Sequence, residues 1–313
     1  MKFKARAFDG DTEIFIEREG LHIGKHFLDY ADIKSLSPIN HRVLIDTFPG
    51  EKIEISMLGF AYDGFWEELM KSFSQRSLEA LFVDETVIMH CEGEYQIFDE
   101  KGRAIVMLFP DAICILPQTC HAIRIPLTFT REIQLDGYML HITMFSGQRY
   151  SVGRMGYDTR FFAERAKKAA NRVKRQRSQG IEKVQLQAPF SQKGLFRTQQ
   201  ADHYWQAAFG KGRCAVELFT DENSATYLYE FLEEQSVFVQ HLEEAMEAMG
   251  SHREIIYFTE EQIQKNSLYR MAIGRCEAVR FLRSKSVGRL IHNSSHSQRL
   301  AEFIENQYSW AES

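Results

Sequence analysis

Along the N-terminal half of the chain apolar and polar residues alternate in short runs, and twice the alternation gives way to a helical period. Phe3 to Phe8 alternates, Ile14 and Ile16 share one side of Glu13 to Glu17, and Leu21-His22-Ile23 follows Gly20. Tyr30 to Leu36, Val43 to Phe48 and the Ile53/Ile55 run continue the pattern. A period of two marks half-buried strands, so these runs predict an antiparallel meander. Phe65, Leu69 and Phe73 then recur at helical spacing, and Asp63 is expected as the N-cap of that helix.

The plan recurs about a hundred residues later. Strands are expected at Thr86 to Cys91, Tyr95 to Phe98, Ala104 to Phe109, Ala112 to Leu116, Ala122 to Ile125, Ile133 to Leu135 and Met139 to Phe145. The turns fall at Asp99 to Gly102, Pro117 to Thr119 and Asp136-Gly137. Phe48-Pro49-Gly50 leads into Glu51 to Ile55 as Phe145-Ser146-Gly147 leads into Gln148 to Val152. Tyr62-Asp63 precedes one helix as Tyr157-Asp158 precedes the other. A repeat of this kind sets the architecture before any single residue does.

Past a Gln-rich stretch punctuated by Gly and Pro the pattern changes. Arg213 to Phe219 and Ala225 to Phe231 read as a hairpin. Ser236 is placed as the cap of a helix carrying Phe238, Leu242, Met246 and Met249. Strands are expected at Glu254 to Phe258 and Ala278 to Leu282, with a short helix opening at Thr259 between them. The ending, Lys285 to Ile291 and then a helix with Leu300, Phe303 and Ile304, leaves open whether this region is a third, diverged copy.

Two strand meanders, each closed by one amphipathic helix and present in tandem, resemble the pleckstrin-homology-like barrel, a superfamily with GRAM and bacterial versions. The residues carrying the resemblance are Leu21 to Ile23, Tyr30 to Ile33, Gly50 to Ile55 and Asp63 to Phe73, and then Ile113 to Ile115, Ile123 to Ile125, Gly147 to Val152 and Asp158 to Val173. It implies an α+β fold of tandem antiparallel β-barrels with C-terminal helices, plus a third α+β domain. The expected limits are 1–78 and 79–178 for the barrels, 179–195 for a linker and 196–313 for the third domain.

Composition narrows this little. The chain has 313 residues, 44% hydrophobic and 12% aromatic, enough for packed cores, and a mild net charge of -5. No apolar run approaches the roughly 18 residues of a membrane span, and Met1 to Phe8 lacks the apolar core of a signal peptide, so a cytoplasmic location is expected. The five cysteines, scattered and odd in number, read as reduced core residues.

Charge distribution adds more. Arg160, Arg165, Lys167, Lys168, Arg172, Lys174, Arg175 and Arg177 stand against Glu164 alone. Glu217 to Glu261 is acidic, and Lys265 to Arg299 is basic again. The basic helix has an apolar stripe of Phe162, Ala166, Ala169, Ala170 and Val173. Its opposite face is either solvated or an anion-binding surface, with Arg165, Lys168, Arg172 and Arg175 the candidates.

Catalytic and metal motifs are missing or poorly placed. His292 and His296 have a two-histidine spacing across a polar break, and His90-Cys91 and Cys120-His121 lack chelating spacing. Gly210-Lys211-Gly212-Arg213 reads as a hairpin entry more simply than as a phosphate loop. No cofactor or metal is expected. The reading is a non-enzymatic binding or scaffold protein for a protein or peptide partner, with self-association between basic and acidic bands open to it. The alternative is a peripheral binder of anionic phospholipid or nucleic acid through 160–177. A third class, an enzyme using His252, His292 or His296, has only those histidines in its favour.

Overall fold

The computed structural model describes residues 2–8, 10–97, 99–181, 196–197, 204–210, 212–219, 224–249 and 254–292. The first unit is built from two antiparallel sheets. One holds β1 (Lys2–Ala7), β2 (Gly10–Ile16), β3 (Gly20–Ile23) and β4 (His26–Asp29); the other holds β5 (Ile33–Ile39), β6 (Arg42–Thr47) and β7 (Lys52–Ile55). The strand β4 has no counterpart among the expected elements. Arg6 and Ser56 exchange both backbone bonds, at 2.8 and 2.9 Å, and so join the first strand to the end of the last. Helix α1 (Tyr62–Ala80) packs Phe65, Leu69 and Phe73 onto Ile14, Leu21, Val43 and Ile45.

The second unit is one curled seven-stranded sheet. In chain order its strands are β8 (Met89–Ile97), β9 (Glu100–Leu108), β10 (Ala112–Pro117), β11 (Ile123–Pro126), β12 (Thr130–Asp136), β13 (Met139–Met144) and β14 (Arg149–Gly153); α2 (Asp158–Ile181) follows. Its first and last strands, β8 and β14, are neighbours, as β1 and β7 are at their bridge. The two strands expected at Thr86 to Cys91 and Tyr95 to Phe98 are joined in β8, which runs unbroken from Met89 to Ile97 through Gly93. A Cβ there would lie 2.6 Å from the Gly153 carbonyl oxygen, so the glycine marks a close approach of β14.

The repeated turns do match in detail. Gly50 and Gly147 have φ of 90° and 88°, and each donates to a carbonyl three residues back, Thr47 or Met144, at 3.0 Å. The helix starts differ from expectation. Asp63 is the second residue of α1, whose cap position is Ala61 without a side-chain bond, and Asp158 is the first residue of α2. Each carboxylate therefore meets the positive end of the helix from inside its first turn.

The third unit holds β15 (Phe196–Arg197), β16 (Tyr204–Gly210), β17 (Arg213–Phe219) and β18 (Ser224–Glu230). It continues through α3 (Gln235–Met249), α4 (Glu260–Gln264), α5 (Ser267–Arg275) and α6 (Glu277–Lys285), and ends in β19 (Ser286–His292), which pairs with β18. Two expected strands are helical. Ile255 and Ile256 are consecutive and both buried, as a 3-10 turn allows and alternation does not. Val279 and Leu282 are buried three apart on α6, a spacing that a short apolar run does not distinguish from a strand. Ser236 lies inside the first turn of α3 and not at its cap. The expected C-terminal helix lies outside the described residues.

Buried guanidinium groups join the three units. Arg124 on β11 donates to the carbonyls of Leu81 and Phe82 beyond α1, at 3.3 and 2.9 Å, and to Ala248 in α3 at 2.7 Å, while pairing with Asp111 at 2.6 Å. Arg275 donates to the carbonyls of Tyr30 and Ile33, and Arg270 pairs with Asp29 and Asp32. Leu36 and Lys34 on the β5 edge bond to Gln118 and Cys120 of the second unit. One apolar cluster runs from Phe73 and Leu81 through Cys114 and Leu116 to Leu242 and Met271.

Arg124→Ala would leave Asp111 buried without its counter-ion, and it is expected to lower stability by about 3–5 kcal/mol in urea unfolding. Gly50→Ala and Gly147→Ala meet no atom within 4 Å. Each should lose about 1–2 kcal/mol from backbone strain alone, and the two losses should be equal within error.

Candidate functional site

The face of α2 that packs inward is made of small and apolar residues, Phe162, Ala163, Ala166, Ala169, Ala170 and Val173, all buried. The alanines let the helix lie close over the open end of the curled sheet. That packing fixes what points outward. Arg165, Lys168, Arg172 and Arg175 fall at three- and four-residue spacing on one exposed side, so the structure brings all four candidates onto a single stripe. Phe161, one turn before Arg165 on the same side, is 60% exposed. Phe161 is absent from the candidates the sequence offers; of the adjacent pair, Phe162 faces in and Phe161 out.

Two further cations of the helix are occupied. Arg160 holds Glu164 at 3.2 Å. Lys174 is half-buried, donates to the Thr130 carbonyl and lies 5.8 Å from the Phe145 ring centre; burial lowers its pKa. Arg165, Lys168, Arg172 and Arg175 make no ion pair with a described residue.

Four carboxylates of the acidic band are paired within the third unit. Glu230 pairs with Arg213 at 2.7 Å, Glu233 with Lys285 at 2.7 Å, Glu260 with Arg283 at 2.8 Å and Glu261 with Lys265 at 2.6 Å. Three of these pairs join the two C-terminal bands, and none of the four involves the α2 stripe.

The remaining candidates do not converge. Cys91 is buried while His90 is exposed, and His121 is exposed with Nδ1 2.7 Å from Glu100. The Gly210 to Arg213 segment is the β16–β17 hairpin. His292 ends β19, and His252 and His296 lie outside the described residues. Among the described residues no group of three His, Cys, Asp or Glu is placed to hold a metal ion, and no helix is long and apolar enough to cross a membrane. All five cysteines are buried and unpaired.

One carboxylate is displaced from its ordinary titration. Burial, with the Glu277 charge next, pushes Glu244 on α3 up to about 7, and the nearby Ser146 hydroxyl works the other way. It lies where the third unit meets the β13–β14 turn.

No family model and no curated protein matches the chain. Among solved structures it is similar to the C-terminal domain of an unknown protein from Leishmania infantum. That match has 7% identity, covers 32% of this chain and 97% of the other, and has a TM-score of 0.27. An agreement of that size carries no argument about fold or function.

The Glu244 shift has a sign that can be tested. A carboxyl whose folded pKa is raised contributes stability that is present below its unfolded value near 4.5 and lost as pH rises through about 7. Glu244→Gln should therefore flatten the fall in melting temperature between pH 5 and pH 8.

Proposed function

We propose that this is a non-enzymatic binding or scaffold protein that docks an acidic partner protein or peptide on the outer face of α2. The observation that carries the reading is the stripe of Arg165, Lys168, Arg172 and Arg175, exposed together and without counter-ions among the described residues. The proposal includes tandem pleckstrin-homology-like units. Its support is the same order of seven strands and one helix in both, with the first strand meeting the last. In the first unit the outer face of α1 carries Glu67, Glu68 and Lys71, so the two copies share a frame and differ in surface.

Phe161 favours a protein partner over the other polyanions. An exposed aromatic beside arginines is the composition of an interface hot spot. A lipid surface would find little apolar depth here, since the apolar face of α2 is spent on its own core. Stacked bases would need more aromatic rings than one.

The test uses the full chain and three probes across salt: an acidic peptide containing aromatic residues, phosphatidylserine vesicles and single-stranded DNA. Peptide binding should weaken as salt rises. Replacing Arg165, Lys168, Arg172 and Arg175 together by Gln should weaken it roughly 10- to 100-fold, with the melting temperature unchanged. Equal peptide binding by the variant overturns the proposal; tighter binding to vesicles or DNA transfers the face to the alternative reading.

A further inference from the structure

Helix α1 has two working faces. Phe65, Leu69 and Phe73 enter the first unit, while Trp66, Met70, Ser74 and Leu78, each four residues after the last, look toward the second. Strand β9 is two-sided in the same way. Ala104, Val106 and Leu108 enter its own core, and Ile105 and Met107 point out toward α1. Beyond Leu78 the two faces close into a shared core with Leu116. Between Trp66 and Met70 on one side and Ile105 and Met107 on the other they stay apart, around a cavity of 960 Å³. Small-molecule sites fall in the range of about 300–1,000 Å³.

The serine at the bottom of this groove is unusual. Ser74 is 3% exposed and its Oγ has no hydrogen-bond partner. A serine inside a helix can satisfy itself on the carbonyl four residues back. Ser77, three residues on, does so, donating to Phe73 at 2.9 Å. Ser74 has the same option at Met70 and does not use it. Ser74 lines the groove, and its buried, unpartnered hydroxyl is a hydrogen-bonding point awaiting a partner.

The rim decides the charge of what fits. Lys71 and Arg103 stand against Glu67 and Glu92, and Arg154 is already held by Glu94 at 3.0 Å. Formal charges cancel, so the groove offers no net field to an anion or a cation. Its walls are soft and flat: two methionines adapt to an irregular outline, and an indole ring offers a stacking surface. We infer that this groove binds an uncharged, mainly apolar small molecule with aromatic character, held by Trp66, Met70, Ile105 and Met107 and anchored by one hydrogen bond to Ser74. The walls belong to different units, so the occupant braces the first unit against the second.

Nile red, an uncharged aromatic dye with acceptor atoms, is the probe for the full chain. Its fluorescence should rise and saturate at one dye per chain, and excess indole should compete. Ser74→Ala should weaken binding roughly 3- to 10-fold, the worth of one hydrogen bond. Its melting temperature should hold or rise, because the orphaned hydroxyl is gone. Ile105→Trp, filling the groove from a partly exposed position, should abolish the site. Absence of saturable binding overturns the inference, as does an affinity unaltered by Ser74→Ala. Dye uptake that survives Ile105→Trp assigns the signal to general apolar surface and overturns it too.

Discussion

A guanidinium taken out of water seeks its hydrogen bonds inside the protein, and in this chain those of Arg124 and Arg275 reach across unit boundaries, although Nε of both and Nη1 of Arg275 stay without a partner. Arg124 reaches carbonyl oxygens of the first and third units while its charge is balanced by Asp111 in its own. Burial is the largest single effect and would make Arg124 easier to deprotonate, but the charge and hydrogen bond of Asp111 together with Cys114 and Cys276 outweigh it and the pKa is raised. Arg275 is buried against the Tyr30 and Ile33 carbonyls, and there burial prevails, lowering it to about 10, still cationic at neutral pH. Such groups are poor sources of net stability. Their strength is that only one arrangement of the units satisfies them.

The third unit is therefore best understood as a brace. Its helix α5 places Ser267, Arg270 and Arg275 on the turn between β4 and β5, and α3 closes over β11. Strand β10 is buried along its whole length, where a strand with one wet face would alternate. The second unit's sheet thus has a core on each side, its own and the one shared with its neighbours.

The same packing separates the two proposed recognition surfaces. The α2 stripe is convex, cationic and confined to one unit. The groove between α1 and β9 is concave, electrically balanced and built from two. A partner on the first need not touch an occupant of the second, and the repeat explains why neither surface appears twice. Each copy keeps the turn, the strand and the inward helix face that folding requires. The outward residues differ because no packing constrains them.

The amino-acid sequence alone determined the local frame: alternation gave the strands of both copies apart from β4, Gly50 and Gly147 gave matching turns, and Phe65, Leu69 and Phe73 gave a helix. It also placed Arg165, Lys168, Arg172 and Arg175 on one helical side, because three- and four-residue spacing is a local property. It split β8 in two on either side of Gly93 and misread Ala278 to Leu282 and Glu254 to Phe258, where a close backbone approach or a short apolar run has no unique local meaning. It also passed over Phe161. Tertiary structure decided which charges cancel, since Glu233 with Lys285 and Glu260 with Arg283 meet only after folding. It alone produced the orphaned Ser74 and the cavity beside it, because a gap between two packed faces is written in neither face by itself.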